Sequence, residues 1–412
     1  MSLIRPFPAL RPADNCAAEV IAPPYDVLST AEARVRAQDK PYSFLHISKP
    51  EIDLPENTDP HAPEVYAKAA QNLRAMIAAG LLKQDEAPYY YVYRIQMGAH
   101  VQTGIVAAAS VADYDSNRIR KHEFTRPDKE DDRVRQIDAT NAQTGPVLLA
   151  YRDTPEVDAI LARTTQGTPA ADAVADDDVR HTLWVMRDAA DIARAGTLFD
   201  AMPALYIADG HHRSASASRI CAARKAANTK HTGTEPYNAF LAVIFPAHEM
   251  RIMDYNRVIT DLNSLTEEAF LDRISRAFDL EPAAAAVKPA RLGEFGLYLA
   301  GRWHRLRIKP ELIPQNDPVA RLDVSLLQNN LIGPILGIED PRRDKRIDFV
   351  GGIRGLGELE KRVNGGGMAL AFSLHPTRME DLMGVADASE VMPPKSTWFE
   401  PKLADGMASH ML

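Results

Sequence analysis

The sequence contains almost no cysteine: Cys16 and Cys221 are the only two among 412 residues. This number is too small for a disulfide framework, and the two cysteines lack the short spacing that is typical of metal sites. Such a composition is common in proteins of reducing compartments. We therefore expect a cytoplasmic protein without structural disulfides.

The sequence also lacks long apolar runs and an excess of basic residues. No segment reaches the roughly 20 apolar residues that a transmembrane helix needs, and the first residues show no signal-peptide pattern. The formal net charge is -8, whereas a protein that coats nucleic acid needs a basic face to meet the phosphates. We expect neither a membrane nor a nucleic-acid partner, although this charge is compatible with a local basic pocket for one nucleotide.

The composition is that of an ordinary globular protein. A chain of 412 residues, 45% hydrophobic and 25% charged, can bury the cores of two or three domains. Strand and helix patterns follow one another without an internal repeat, which predicts an α/β or α+β fold with mixed sheets. We expect an N-terminal α/β region (1–150), a central region (151–281) and a C-terminal α/β region (282–412) that can intertwine with the rest. The stretch 282–291, rich in proline and alanine, is the best linker candidate.

One motif in the central region combines a strand, a tight turn and a helix. A short apolar strand at 204–208 precedes Asp209-Gly210-His211-His212-Arg213, and an alanine-rich helix is predicted at 213–227. Gly210 permits a turn that other residues resist, and the helix start offers free N–H groups and a positive dipole end. The two histidines and the arginine add positive charge there. The motif therefore predicts an anion-binding centre.

Other interpretations of this motif remain open. Asp-Gly is a common turn, and Asp209 could simply cap the helix. Asp209 could also hold a metal-bound phosphate or accept a hydroxyl proton. A zinc site is disfavoured because adjacent histidines on a helix point about 100° apart, whereas a zinc-hydrolase helix spaces them by four residues.

Three further polar motifs could contribute to the same site. Lys121-His122-Glu123 places a carboxylate beside basic groups, which suits a general base for a substrate hydroxyl, although a solvated loop explains it equally well. Pro23-Pro24-Tyr25-Asp26 is a stiff segment that could hold a site edge or form a structural wrap. Lys395, Ser396 and Thr397 follow two prolines and could clamp phosphate, but they lack the glycines of a true phosphate loop.

These four motifs, in their order along the chain, resemble the domain-of-unknown-function family numbered 1015, and the similarity extends over nearly the whole chain. The central motif also resembles the Gly-x-x-Arg turn of the ParB and sulfiredoxin superfamily, which binds nucleotide phosphates: CTP in ParB proteins, ATP in sulfiredoxin, and ATP or ADP in free-serine kinases. The second resemblance implies a ParB/sulfiredoxin-like strand-turn-helix core in which His211, His212 and Arg213 match the phosphate-binding turn, and Asp209 an acidic position of the serine kinases.

The chain departs from these families at two places. His211 stands where sulfiredoxin has its nucleophilic cysteine, which disfavours sulfinate reduction, and no ParB-type helix-turn-helix is evident. The larger family leads us to expect a histidine–arginine pair after residue 252, but Tyr255-Asn256-Arg257 occurs there, so that only Arg257 remains.

The residues and the resemblance together predict a nucleotide-dependent kinase for a small hydroxylated metabolite, and the resemblance makes free L-serine the best guess. The expected cofactors are ATP or ADP and Mg²⁺, with Asp209 as the metal-binding or hydroxyl-orienting carboxylate. The expected catalytic residues are Glu123, Asp209 and His212, and the expected nucleotide-binding residues are Gly210, His211, Arg213, Lys121, Lys395, Ser396 and Thr397. The alternatives are a ParB-like nucleotide-binding regulator without turnover and a metal-dependent phosphohydrolase.

Overall fold

A computed structural model describes residues 2–412 of the protein, and Met1, the first residue of the expected N-terminal region, lies outside them. The strands are β1 (Ile4–Arg5), β2 (Leu10–Pro12), β3 (Leu82–Gln84), β4 (Tyr90–Met97), β5 (His100–Ser110), β6 (Ile119–Arg120), β7 (Ala142–Gln143), β8 (Val147–Tyr151), β9 (Ala171–Val174), β10 (Arg180–Met186), β11 (Leu205–Asp209), β12 (Ala239–Pro246), β13 (Ile252–Met253), β14 (Tyr255–Ile259), β15 (Phe278–Ala283), β16 (Glu294–Leu299), β17 (Arg302–Ile308), β18 (Ile347–Gly351), β19 (Leu370–Leu374), β20 (Trp398–Phe399) and β21 (His410–Met411).

Helices connect these strands throughout. The α-helices are α1 (Ala17–Val20), α2 (Thr30–Ala37), α3 (Leu45–Ser48), α4 (Pro63–Ala78), α5 (Val111–Asp115), α6 (Pro127–Thr140), α7 (Pro155–Thr164), α8 (Ala189–Asp200), α9 (His211–Ala227), α10 (Glu267–Ser275), α11 (Asp323–Leu327), α12 (Gly333–Leu336), α13 (Leu356–Asn364) and α14 (Met379–Asp387). Short 3-10 turns also occur, among them Tyr25–Val27. None of the helices in residues 2–412 combines the length and apolarity that crossing a membrane requires.

The chain divides into two compact units. The first contains residues 1–250 together with the C-terminal segment Pro401–Leu412, and the second contains Arg251–Glu400. The C-terminal segment is tied into the first unit because β21 pairs with β7, and because the backbone of Asp405 exchanges hydrogen bonds with that of Ala22.

The first unit is built on a mixed sheet that has nine strands among the described residues. Its order is β6-β11-β8-β12-β5-β4-β10-β9, and β1 pairs with β5. The pairs β6–β11 and β8–β12 are parallel, and the other pairs are antiparallel. The middle strands consist of nearly continuous apolar residues: every residue of β8 and β12 is buried, as expected for strands covered on both faces.

The second unit has its own sheet, with the order β15-β17-β16-β19-β14-β18 and antiparallel pairing. The stretch 282–291 is part of this unit and does not link two units, contrary to our expectation. Its first two residues belong to β15, and Val287 is buried, with its carbonyl accepting a hydrogen bond from Ser373. An edge strand tolerates Pro282, so the proline content of this stretch was wrongly interpreted as the sign of a linker.

The sequence correctly indicates the fold class and the elements on both sides of the central turn. The mixed α/β fold is confirmed, and the strand predicted at 204–208 corresponds to β11, shifted by one residue at each end. The helix predicted from Arg213 begins two residues earlier, at His211. The earlier start arises because Gly210 alone makes the turn, with φ +99° and ψ 29°.

Gly210→Ala provides a test of this turn. The left-handed backbone costs a residue other than glycine about 1–2 kcal/mol, and a Cβ at this position would lie 3.1 Å from the Arg213 Nε and 3.3 Å from the Val147 Cα. We expect the urea midpoint of Gly210→Ala to fall further than that of Gly80→Ala, because Gly80 has a similar φ of +73° but open space around its Cα. Equal shifts for the two variants would show that the crowding at Gly210 is unimportant.

Candidate functional site

The start of α9 follows directly from the end of β11. The strand is apolar and buried up to Ala208, and Gly210 turns the chain so that the helix begins at His211. Gly210 precedes the helix and has no side chain that could cap it, and the first intrahelical bond is donated by Ser214 N to the Gly210 carbonyl at 3.0 Å. An uncapped helix start of this kind offers N–H groups that can bind an anion.

Arg213 joins three parts of the first unit. Its side chain is 8% exposed; Nη1 donates to the Pro146 carbonyl, and Nη2 lies 3.5 Å from Asp209 Oδ2 and 3.6 Å from Asp26 Oδ2. Burial alone would lower the pKa of Arg213, but the nearby carboxylates of Asp209 and Asp26 outweigh burial and raise it. The guanidinium is therefore a permanent cation at the helix start.

Asp209 lies between two cations. Its Oδ2 is 3.5 Å from Arg213 Nη2 and 3.5 Å from the Nζ of Lys402 in the C-terminal segment. Burial favours protonation of this carboxyl, but the attraction of Lys402 and then of Arg213 holds its pKa well below the usual range. Asp209 is thus ionised at neutral pH.

His211 is buried and contacts the Lys121-His122-Glu123 loop. Its Nε2 accepts a hydrogen bond from the backbone N–H of His122 at 3.4 Å, and its Nδ1 lies 3.8 Å from Glu123 Oε2. Burial, followed by the neighbouring His122, lowers the pKa of His211 well below its ordinary value. The ring is therefore neutral, and the accepting role of Nε2 assigns its proton to Nδ1, on the side of Glu123.

His122 packs edge-on against His211, with 4.5 Å between the ring centroids. The ring is completely buried, and neither of its nitrogens has a side-chain or backbone hydrogen-bond partner of normal geometry among residues 2–412. Burial lowers the pKa of His122 to about 4, so this ring is also neutral. The pair fixes the Lys121-His122-Glu123 loop against the start of α9 without adding charge.

His212 and Lys121 point to other partners. The Nε2 of His212 accepts a hydrogen bond from the backbone N–H of Arg126 at 3.1 Å, just before α6. Burial lowers the pKa of this histidine. The Nζ of Lys121 donates to the Tyr114 carbonyl at 3.0 Å and lies 4.0 Å from the centroid of the Tyr114 ring. The structure thus brings Glu123, Asp209, Gly210, His211 and Arg213 together, whereas His212 and Lys121 hold the surrounding segments.

Lys395, Ser396 and Thr397 belong to the second unit. Lys395 has a positive φ of +59°, and its carbonyl accepts a hydrogen bond at 3.0 Å from Arg257. Ser396 Oγ donates to the Pro393 carbonyl at 2.6 Å. These contacts stabilise a tight turn within the second unit, and a phosphate-binding role for its side chains stays a prediction.

The stiff N-terminal segment lies at the edge of the site. Asp26 contacts Arg213, and the ring of Tyr25 stacks under the guanidinium of Arg133 at 3.9 Å. Arg133 in turn donates to Asp132 at 2.9 Å and 2.6 Å. The sequence left open whether this segment forms a site edge or a structural wrap. In the structure it lies beside the candidate site.

A small cavity lies beside Arg213 in the first unit. It is lined by Tyr25, Ser48, Arg133, Gln136, Ile137, Gln143, Thr144, Gly145, Val147, Arg213, Phe240, Leu241 and Asp405. Most of these side chains are polar or charged, so the cavity offers hydrogen-bonding groups to a small ligand.

Sequence reasoning missed Lys402 and Asp405. Both lie in the C-terminal segment, which returns to the first unit beside the start of α9. The only signal in the sequence is that two charged residues interrupt a run of small and apolar ones near the end of the chain. Their position depends on β-pairing between segments more than 250 residues apart, which local patterns do not reveal.

The donor set around Asp209 does not form a preformed metal cage. Among residues 2–412 there is no group of three or more His, Cys, Asp or Glu side chains placed to hold a metal ion. Asp209 instead faces Lys402 and Arg213. This environment suits Mg²⁺ only when nucleotide phosphates supply most of its ligands, as they often do.

Comparison with solved structures finds distant similarities. A free serine kinase in complex with AMP is 12% identical, with a TM-score of 0.36, over 72% of this chain and 86% of that chain. A conserved hypothetical protein from Pyrococcus furiosus is 13% identical, with a TM-score of 0.36, over 74% and 94%. SbnI with a C-terminal truncation, from Staphylococcus aureus, is 10% identical, with a TM-score of 0.36, over 73% and 85%. These similarities are too distant to carry an argument about this chain, and the comparison with curated proteins finds no match.

The sequence matches one family model over residues 4–325, well over half of the chain. The match includes the segments around Tyr25, Glu123 and Arg213, whereas Lys395 lies beyond it. The chain belongs to the family described as "Protein of unknown function (DUF1015)".

Proposed function

We propose that the protein is a nucleotide-dependent phosphotransferase that acts on a small hydroxylated metabolite. The observation that carries this proposal is the distance of 3.8 Å between Glu123 Oε2 and Nδ1 of the neutral His211, at the helix start that also presents Arg213. A carboxylate thus lies beside an anion-binding turn. Phosphoryl transfer needs both features, since a hydroxyl must lose its proton while phosphate charge is neutralised.

In this proposal each residue has one task. The N–H groups of the first turn of α9, together with Arg213 and Lys402, hold the nucleotide phosphates. Glu123 accepts the hydroxyl proton as the acceptor oxygen forms a bond to the terminal phosphorus. The bond between that phosphorus and the bridging oxygen breaks, and the shortened nucleotide leaves with the electron pair.

ATP or ADP is the expected donor, and Mg²⁺ would accompany its phosphates. Asp209 is the protein carboxylate that would face the ion or orient the acceptor hydroxyl. Mg²⁺ supplies charge neutralisation on the phosphates when bound. Free L-serine is the first acceptor to test, a choice that comes from the sequence resemblance and not from the pocket.

A second candidate function is nucleotide binding that regulates the protein without turnover. The ion pairs of Asp209 with both Lys402 and Arg213 favour it, because they leave this carboxylate neutralised within the protein. A regulator would bind nucleotide tightly and transfer phosphate to no hydroxyl. Phosphate release without an acceptor would instead indicate a hydrolase.

Glu123→Gln tests the assignment of the base. With Mg²⁺, ATP or ADP and a panel of hydroxylated amino acids, we expect the wild type to form a phosphorylated product. The variant should lose about 10²–10⁴-fold in kcat, because the amide cannot accept the proton, while it retains nucleotide affinity. Glu156→Gln, on the exposed first turn of α7, is the matched control.

His212→Ala belongs in the same assay as a positioning variant. Removing the ring leaves the Arg126 N–H without its partner and loosens the segment that follows Glu123, so turnover should fall.

Full activity of Glu123→Gln would contradict the assigned base. Tight nucleotide binding by the wild type with no product from any acceptor would contradict the phosphotransferase and favour the regulator.

Lys402→Gln tests the contribution of the C-terminal segment to phosphate binding. The change removes a cation and exposes the negative charge of Asp209, so the dissociation constant for nucleotide should rise about tenfold, which is the effect of roughly one charge-assisted hydrogen bond. Calorimetric titration at low and moderate salt measures it. Lys225→Gln, exposed at the far end of α9, should leave binding unchanged. Equal nucleotide affinities of the two variants would show that Lys402 does not contribute to phosphate binding.

A further inference from the structure

Asp405 is an unusual residue in the cavity of the first unit. Its side chain is 1% exposed, and neither of its carboxylate oxygens has a hydrogen-bond partner of normal length among residues 2–412. The hydroxyl of Ser48 lines the same cavity and faces Asp405, but it too makes no hydrogen bond of normal geometry among these residues. A buried carboxyl without partners is costly, so its retention calls for a ligand that completes it.

The cations that line the cavity are already paired. Arg133 is bound through two nitrogens to Asp132 and stacks on the Tyr25 ring. Arg213 contacts Asp209, Asp26 and the Pro146 carbonyl. The unpartnered charged group of the cavity is therefore acidic, which favours a ligand group that is a cation and a hydrogen-bond donor.

The absence of a side chain at Gly145 leaves a small space next to the Asp405 carboxyl. A Cβ at Gly145 would lie 3.4 Å from the Arg213 Cδ and 3.6 Å from Asp405 Oδ1, so the side chains of Arg213 and Asp405 flank the same small space. Arg213, which also lines the cavity, contacts Asp209 through its guanidinium. A small molecule held by Asp405 would therefore lie next to the proposed phosphate site.

We propose that Asp405 binds the ammonium group of the acceptor, so that the protein selects small hydroxylated primary amines over hydroxylated molecules without an amine. This inference rests on the proposed function. Burial raises the pKa of Asp405 to about 7, with Arg213 opposing and Asp26 reinforcing the shift. Binding of the ammonium completes the ionisation of the carboxyl, releases its proton to solvent and satisfies both oxygens.

The test compares acceptors and variants. L-Serine, ethanolamine and glycerate share a hydroxyl, but glycerate lacks the amine. We expect binding and phosphorylation of the two amines to exceed those of glycerate by about 10–100-fold, the range of one charge-assisted hydrogen bond. Asp405→Asn should raise KM for the amines by a similar factor, remove the preference over glycerate and leave nucleotide affinity unchanged. Asp14→Asn, in an exposed turn, is the matched control.

A stability measurement shows that the variant is folded and not merely damaged. The folded pKa of Asp405 exceeds the ordinary value of 3.8, so ionising this carboxyl without ligand destabilises the fold increasingly between about pH 4 and pH 7. The other charged groups facing it, Arg213, Arg133 and Asp26, stay in place. Asp405→Asn should therefore have a higher thermal midpoint than the wild type at pH 8, and the two proteins should have similar thermal midpoints at pH 4.

The outcomes separate this inference from the proposed function. Turnover of glycerate by the wild type as efficient as that of L-serine, or an unchanged preference for L-serine in a stable Asp405→Asn variant, would overturn the inference and leave the phosphotransferase intact. Amine binding that depends on Asp405, measured by calorimetry without any turnover, would support the inference and overturn the phosphotransferase. Gly145→Ala, whose methyl makes ordinary contacts but narrows the cavity, should weaken amine binding in a folded protein; unchanged binding would place the amine elsewhere.

Discussion

The buried guanidinium of Arg213 is the interaction on which the site depends. It links the end of β11 through Asp209, the N-terminal segment through Asp26 and the start of β8 through the Pro146 carbonyl. The buried cation would be left without a counter-charge if it lost these carboxylates, which costs several kcal/mol, whereas the partly exposed carboxylates of Asp26 and Asp209 lose less because water can solvate them. Segments distant in sequence are thus held around one helix start.

Around this charged centre the histidines contribute shape and not charge. Burial keeps His122 and His211 neutral, so the positive field at the start of α9 comes from Arg213, Lys402 and the helix dipole. Neutral rings can stack closely and hold the loop of Glu123 against the turn. The result is the carboxylate of Glu123 next to a cationic helix start, which is the combination that the proposed phosphoryl transfer to a hydroxyl requires.

Local sequence predicts the elements but not all of their partners. The apolar strand, Gly210 and the basic residues after it are contiguous, so the strand-turn-helix unit can be recognised in the sequence, and its anion-binding role stays a prediction. Glu123 could be named because its loop carries a distinctive motif. Lys402 and Asp405 could not, because their place depends on the pairing of β21 with β7, a contact between segments more than 250 residues apart. The proline content of 282–291 predicted a linker, but the stretch begins within an edge strand that accommodates Pro282.

The central claim is that the first turn of α9 holds nucleotide phosphates. A crystal structure of the protein with a non-hydrolysable nucleotide and Mg²⁺ tests it most directly. The account predicts phosphate oxygens within hydrogen-bonding distance of the N–H groups of His211, His212 and Arg213, with the terminal phosphate towards Glu123. A nucleotide bound with its phosphates elsewhere, or no nucleotide at saturating concentration, would contradict it.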